Sequence, residues 1–532
     1  MPASPLNHDA FEAALRNCPF RFDVALLLDM IRNGANIGFW GDRSRTVGFR
    51  NHFRARGVEG AVATDLHKEQ LKGRISPFFK QMPFAAYRLS ALGAVPKTEG
   101  GKPTGEMRRI FDASQPAGDA VNDFVTRLLC EVDSFEMALD LLWAAGLGCK
   151  LAKLDVKSAF RTILVRRADW SLLGMRTAEG YCWELVLPFG LRSSPALWDR
   201  VARALVWTLR EEYHIKVQVF VDDFLFVFDP NEDATAGFST AKGVFKTLGV
   251  PTSDDKEVQP TTSLVFTGVL IDTVKMTLAL TSERRHEILR IVREFAEAKT
   301  ATRKQMERLC GKLLNATKVL PPGRPFLNRA LALMREAKGR LIALDDEFRL
   351  DMQCMAEALN SWKGFSAIPR KQWTSFEHVS FGTDAASSGG VGAEFKGQWL
   401  SEPWSEQQRA AASRLRGLSI PFLECLAVAT AVAVWGHLWG GQRVVVHCDC
   451  LPVVLALNKG LSRDAGLGRL LRFICQVAIA HDFCFLAEHV SGVSNGLCDA
   501  LSRLQSEELV KQGRLSSGSR VRPPAGWETR RW

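Results

Sequence analysis

None of the 12 cysteines falls in a Cys-x-x-Cys pair, so neither a zinc knuckle nor a disulfide framework is expected. Cys448 and Cys450 flank Asp449, and strand alternation predicts that both point away from its carboxylate and serve as reduced packing residues. The opening MPASPLNHDAFEAALR lacks an apolar signal region, which predicts an intracellular protein of the cytoplasm or nucleus. The most apolar stretch, PFLECLAVATAVAVWGHLW, is bounded by Glu424 and His437. It reads as shorter than the ~20 residues a spanning helix needs, so no membrane association is expected. No internal repeat is present.

What the chain does have is size and positive charge. At 532 residues it is too long for one core and predicts about three or four units. Its apolar fraction of 46% is that of an ordinary globular protein, while 69 Lys+Arg against 58 Asp+Glu leave a net charge of +11. An excess of that sign suits a polyanionic partner. Arg161, Arg166 and Arg167 cluster in one place and Lys304, Arg308, Lys312 and Lys318 in another, as sequence-independent phosphate contacts would require.

The most informative segment is FVDDFLFVF, in which two apolar runs flank Asp222 and Asp223. This pattern predicts a hairpin with both carboxylates at its turn. Adjacent carboxylates in apolar surroundings repel unless a cation sits between them, and hard divalent metals are the usual occupants. A solvated Asp-Asp turn fits the same pattern. Upstream, KLDVKSAF is a short strand delivering Asp155 at its end. Between the two lies LPFGLRSSPALWDRVARAL, where Pro188 and Gly190 turn sharply, Ser193 or Ser194 caps a helix, and Pro195 suits its first turn.

A strand-end Asp, a Pro/Gly turn into a helix and a hairpin Asp-Asp, in that order, resemble the reverse transcriptases. The resemblance implies metal binding by Asp155, Asp222, Asp223 and the Val156 carbonyl. It makes Phe160 the aromatic that excludes a ribose 2′-hydroxyl and Arg108, helped by Arg109 or Lys102, the cation facing an incoming triphosphate. Phe189 and Gly190 would shape the nucleotide pocket, Lys256 would approach the leaving pyrophosphate, and Phe266 with Gly268 would grip the primer end. Phe220 stands where Tyr is commoner. Phe160 as a core aromatic, and Arg108 and Lys256 as solvated charges, are the alternatives.

A second carboxylate set lies in the last third. HVSFGTDAASSGGVGAEF reads as a strand ending in Asp384, a Gly-rich turn and a strand from about Val391. Glu424 starts a helix, RVVVHCDC is a strand ending in Asp449, and HVSGVSNGLCDALSR puts Asp499 on a helix. This order resembles ribonuclease H, with two metals held by Asp384, Glu424, Asp449 and Asp499. His489 reads as a neighbour of that site or an ordinary histidine. KEQLKGRISPF and GEMRRIFDASQPAGDAVNDF look like DIRS-type, tyrosine-recombinase retrotransposons. The absence of Asp-Thr/Ser-Gly argues against a fused aspartic protease.

The expected fold is therefore α+β and multidomain: a right-hand polymerase followed by an α/β ribonuclease H-like domain. The boundaries are a 1–85 extension, 86–275 fingers and palm, 276–375 thumb and connection, 376–505 ribonuclease H-like domain, and a basic, disordered 506–532 tail. Ser282 is expected to cap an amphipathic thumb helix with Ile288, Val292 and Phe295 inward. A second helix, at about 303–318, should bury Met306, Leu309, Cys310 and Leu313. The resemblance implies Mg2+, two per site, with Mn2+ as an alternative. Implied partners are an RNA template, a DNA primer, RNA–DNA hybrid, deoxynucleoside triphosphates and other element-encoded proteins. The rival readings are a domesticated, non-catalytic nucleic-acid-binding protein and an RNA-templated RNA polymerase.

Overall fold

A computed structural model describes residues 4–52, 57–99, 102–128, 130, 133–337, 339–368, 378–414, 419–462 and 464–530. The chain divides into two compact units, Met1–Leu264 with Thr273–Lys275, and Val265–Asp272 with Met276–Trp532.

In the first unit, helix α1 (Val58–Leu71) precedes the antiparallel hairpin of β1 (Ala91–Glu99) and β2 (Lys102–Asp112). The central sheet contains β3 (Lys150–Asp155), β4 (Lys216–Phe220), β5 (Asp223–Phe228) and β6 (Val258–Thr261), in the order β4-β5-β3-β6. Strand β5 reads DFLFVF because helices cover the sheet: Phe224, Leu225, Phe226 and Val227 are all fully buried. Helix α2 (Ser194–Trp207) buries Leu197, Trp198, Val201 and Leu205. The expected serine cap is absent, since Ser194 Oγ instead donates to the Pro188 carbonyl at 2.8 Å. Helix α3 (Ala234–Thr247) is capped by Asp233, which accepts from the Thr235 and Ala236 N–H groups. Phe11, Leu27 and Val62 join Leu154 and Phe224 in one hydrophobic cluster, so the first 85 residues help to build this core.

The second unit opens with α4 (Ser282–Glu297) and α5 (Arg303–Ala316), whose buried residues follow the expected helical spacing. The cap of α4 is Thr281, not Ser282; its hydroxyl accepts the Arg284 N–H. After α6 (Asp346–Ser361), strands β7 (His378–Ala385), β8 (Gly390–Phe395) and β9 (Gln398–Pro403) form an antiparallel meander. Helix α7 (Ser419–Trp435) leads to β10 (Arg443–Cys448), which lies parallel to β7. After α8 (Leu451–Lys459) and α9 (Ala465–His481), β11 (Cys484–His489) completes the order β9-β8-β7-β10-β11 among the described residues.

On length, the membrane expectation for the apolar segment does not hold. Ser419–Leu438 is long and apolar enough to cross a membrane, because a single Glu424 does not interrupt it. In this unit, however, α7 is a core helix: Phe422, Leu426, Val428 and Trp435 are buried, each contributing about 1.5–3 kcal/mol. The expectation of a disordered tail fails as well. After α10 (Gly496–Ser502), helix α11 (Ser506–Lys511) buries Leu509, and Trp527 inserts its indole and donates to Thr430 Oγ1 at 2.9 Å. Two apolar anchors outweigh a Ser/Gly/Arg/Pro composition that has little else to bury.

Candidate functional site

The β4–β5 hairpin places Asp222 at its turn and Asp223 as the first residue of β5, paired with Phe220. Val221 turns the chain at φ 60, a strained conformation for a β-branched residue. Trp198 of α2 holds it there by donating its indole N–H to the Val221 carbonyl at 2.7 Å. Directly across the ladder, Asp155 at the end of β3 is the register partner of Asp223, and the Val156 N–H donates to the Asp222 carbonyl at 2.9 Å. Two strand ends thus bring three carboxylates to one edge of the sheet.

Two lysines answer this charge. Lys256 Nζ lies 3.0 and 3.2 Å from the Asp155 oxygens, and Lys153 Nζ lies 2.8 Å from Asp223. Among the described residues, these three carboxylates do not form a cluster with one oxygen of each within 4.8 Å of the others. Burial, then the charges of Asp155 and Asp223, push the Asp222 carboxyl above its ordinary value. Burial draws the Lys256 ammonium down, but Asp155, Asp222 and Asp223 more than offset it and leave it raised. An edge that already recruits ammonium groups fits hard divalent cations on the same oxygens.

A cavity of about 520 Å³ opens beside this edge, with Asp155, Asp222, Lys256, Arg108 and Phe189 in its wall. Phe189 is exposed there and Phe160 packs behind it, ring centroids 4.9 Å apart. Gly190 has φ +103, and a Cβ would sit 2.1 Å from the Phe111 carbonyl, so only glycine fits. Arg108 is exposed. Arg109, expected to assist it, is half-buried and committed elsewhere: Nε donates to Asp65 at 2.7 Å and Nη1 to Glu184 at 2.9 Å. The side chain of Lys102 lies outside the described residues.

Arg161, expected as a phosphate contact, is buried; it donates to Glu184 at 2.5 Å and Glu69 at 2.9 Å. Arg166 is likewise paired with Asp169, and Arg308 and Lys312 with Glu287. In the second unit, Phe266 is fully buried, and Gly268 turns at φ +81 against the Arg284 guanidinium.

The second carboxylate set gathers at one end of the five-stranded sheet. Asp384 accepts from Ser502 Oγ at 2.5 Å and from Asn495 Nδ2 at 3.3 Å. Burial, then Asp449 and Asp499, raise its pKa against the lowering bond from Ser502. Glu424 is 5% exposed and its Oε2 has no hydrogen-bond partner among the described residues. Burial, with Asp384 and Asp449 adding, pushes its carboxyl up to about 9. An orphaned buried carboxylate oxygen among acids fits a cation there. Asp449 follows the end of β10, and His489 Nε2 lies 3.0 Å from its carbonyl oxygen. Asp499 on α10 is held by Arg503 at 2.8 Å.

The expectation for Cys448 is overturned: its Sγ and carboxylate oxygens of Glu424 and Asp449 all lie within 4.8 Å of one another. Strand alternation fails here because β10 ends at Cys448, and Asp449 belongs to the turn into α8. Sequence reasoning also missed Trp198, Lys153, Glu184 and Ser502. Only Lys153 left a signal, two residues before Asp155 and therefore on the same strand face.

Residues 106–271 match a family described as "Reverse transcriptase (RNA-dependent DNA polymerase)". The chain is 24% identical over 381 residues to "Polyprotein P3" of Commelina yellow mottle virus, a match covering 66% of this chain and 18% of that protein. It therefore spans under a fifth of that relative. Among solved structures it resembles a foamy viral protease-reverse transcriptase dRH in complex with double-stranded DNA. That similarity has a TM-score of 0.50 and 14% identity, covering 91% of this chain and 81% of the other. A foamy viral protease-reverse transcriptase in complex with RNA/DNA hybrid aligns with a TM-score of 0.48 and 14% identity, covering 90% and 62%. The fold is that of a retroviral-type polymerase with a further domain, and residues 106–271 constitute a reverse transcriptase domain of the kind carried by viral and retroelement polyproteins.

Proposed function

We propose that this chain is an RNA- and DNA-templated DNA polymerase of a retrotransposon, fused to a ribonuclease H that cleaves the RNA strand of hybrids. The observation that carries the reading is the register pairing of Asp155 with Asp223, with Asp222 at the adjoining turn, which sets Asp155 and Asp222 in the wall of the 520 Å³ cavity. Asp155, Asp222, Asp223 and the Val156 carbonyl would hold divalent metal. Bound there, Mg2+ or Mn2+ supplies Lewis-acid activation of a primer hydroxyl and neutralises charge on the phosphates. Arg108 faces the triphosphate from the exposed side of β2, and Phe189 with Phe160 behind it closes the sugar side. Lys256, which pairs with Asp155, would face the departing pyrophosphate. Phe266 and Gly268 shape the turn proposed to meet the primer end.

Asp384, Glu424, Asp449 and Asp499 constitute the nuclease set, supported by the orphaned Glu424 oxygen. RNA template, DNA primer, hybrid and deoxynucleoside triphosphates are the proposed partners, with other element-encoded proteins. The KEQLKGRISPF and DASQPAG segments favour a DIRS-type element, and an intracellular site of action follows from its substrates. Primer extension on an RNA template with Mg2+, run with deoxy- and ribonucleotides in parallel, tests the reading. Extension with deoxynucleotides and hybrid RNA cleavage are expected; a folded protein that does neither is a nucleic-acid-binding protein instead.

A further inference from the structure

Cys448 stands where an all-oxygen cage for a hard cation has no use for sulfur. Its Sγ lies within 4.8 Å of carboxylate oxygens from both Glu424 and Asp449, which themselves lie within that distance of each other. Cys448 is fully buried and Glu424 is 5% exposed, with Oε2 unpartnered among the described residues, so an ion at this point is stripped of most of its water. The sulfur is also oriented: the Cys450 backbone N–H donates to Cys448 Sγ at 3.4 Å. The neighbouring carboxylates are otherwise engaged, Asp384 by Ser502 and Asn495 and Asp499 by Arg503.

We propose that Cys448, Glu424 and Asp449 bind a thiophilic divalent cation of the Zn2+ or Cd2+ class, with the Cys448 sulfur as a direct ligand. One sulfur and two carboxylate oxygens suit such ions, at roughly 2.3 Å for sulfur and 2.0–2.2 Å for oxygen, with a fourth position left for water. Tetrahedral coordination spaces these atoms roughly 3.5 Å apart, inside the 4.8 Å within which all three already lie. Coordination releases the thiol proton to solvent. Mg2+ gains little from sulfur, so the thiophilic ion outcompetes it for Glu424 and Asp449. The site does not depend on the nuclease reading; if that reading holds, Zn2+ in trace amounts inhibits Mg2+-supported hybrid cleavage.

The test is a Cd2+ titration of the full chain after dialysis against chelator, read by ultraviolet thiolate-to-metal charge transfer and by calorimetry. Wild type should develop the band to one equivalent. Cys448→Ser should lack that equivalent, Cys450→Ser should keep it, and Glu424→Gln should bind roughly tenfold or more weakly. Both serine changes are nearly isosteric, and unchanged circular dichroism and melting establish that the variants are folded. An equal band and affinity in Cys448→Ser, no band in wild type, or loss of the band only in Cys450→Ser would each overturn the proposal. Hybrid cleavage in Mg2+ alone, measured on the same samples, reports separately on the nuclease reading.

Discussion

Arg161 donates to Glu184 at 2.5 Å in the floor of the first unit, where the carboxylate is fully buried. The same carboxylate takes Arg109 on its other oxygen, and Arg161 reaches on to Glu69. One buried anion therefore ties the 3₁₀ turn Ala159–Thr162, which carries Phe160, to strand β2, which carries Arg108. Glu184→Gln should cost about 3–5 kcal/mol, because two guanidinium groups lose their shared counter-charge. Denaturant unfolding of the variant measures it, and a loss below about 1 kcal/mol would mean that solvent replaces the carboxylate.

Glu69 gives this network its pH dependence. Burial alone would raise its pKa, but Arg161, Lys72 and Arg74 outweigh burial and hold it at about 2. A carboxylate depressed from 4.5 stabilises the fold above its unfolded value, and that stability is lost as pH falls from about 4.5 through 2. The shift corresponds to about 3 kcal/mol for this largely buried group. Glu69→Gln should flatten the acid limb of a stability–pH curve in that window and leave its shape near neutrality unchanged.

Asp222→Asn should abolish DNA synthesis while hybrid RNA cleavage continues, since the two carboxylate sets are built from different residues. Its thermal stability without metal should stay equal or rise, because Asp155 and Asp223 no longer repel a charge at 222. Primer extension and hybrid cleavage assayed on one preparation decide it. Loss of both activities in a folded variant would show that the sites are coupled.

Phe160→Val should admit ribonucleotides. The ring packs, at 4.9 Å between centroids, behind Phe189 of the cavity wall, and its removal opens volume without touching a carboxylate. Deoxy-to-ribo discrimination, taken as the ratio of kcat/KM values, should fall by roughly one to two orders of magnitude, with deoxynucleotide use falling less. An unchanged ratio would leave Phe160 as a core aromatic.

Most of the elements bearing the seven carboxylates were legible because period and turn chemistry act locally: a run ends, and an aspartate follows. Glu424, however, is the sixth residue of α7 and not its start, and Asp449 falls one residue past β10. Asp155 and Asp223 as ladder partners could be anticipated on that basis. Local rules say nothing about who answers a charge. Arg109 and Arg161 looked like phosphate ligands by sign alone, yet burial beside Glu184 and Glu69 commits them to structure. Trp527 defeated a composition argument because one indole finding Thr430 can anchor a polar segment. Cys448 was misplaced because alternation was extended one residue past the end of its strand.

Glu424 offers the sharpest separation of stability from chemistry. Its carboxyl is raised to about 9 by burial and by Asp384 and Asp449, while the Ala385 N–H provides the one lowering bond. For a carboxyl raised above its unfolded value, the folded state binds the proton more tightly. Stability is then greatest below about 4.5 and is lost as pH rises toward 9, at up to about 1.4 kcal/mol per pH unit. Glu424→Gln should remove that slope, so that without metal it melts at or above wild type at pH 8. With Mg2+ the order should reverse, since bound metal stabilises only the carboxylate, and hybrid RNA cleavage should be abolished while DNA synthesis continues. Normal cleavage by this variant would take Glu424 out of the nuclease set.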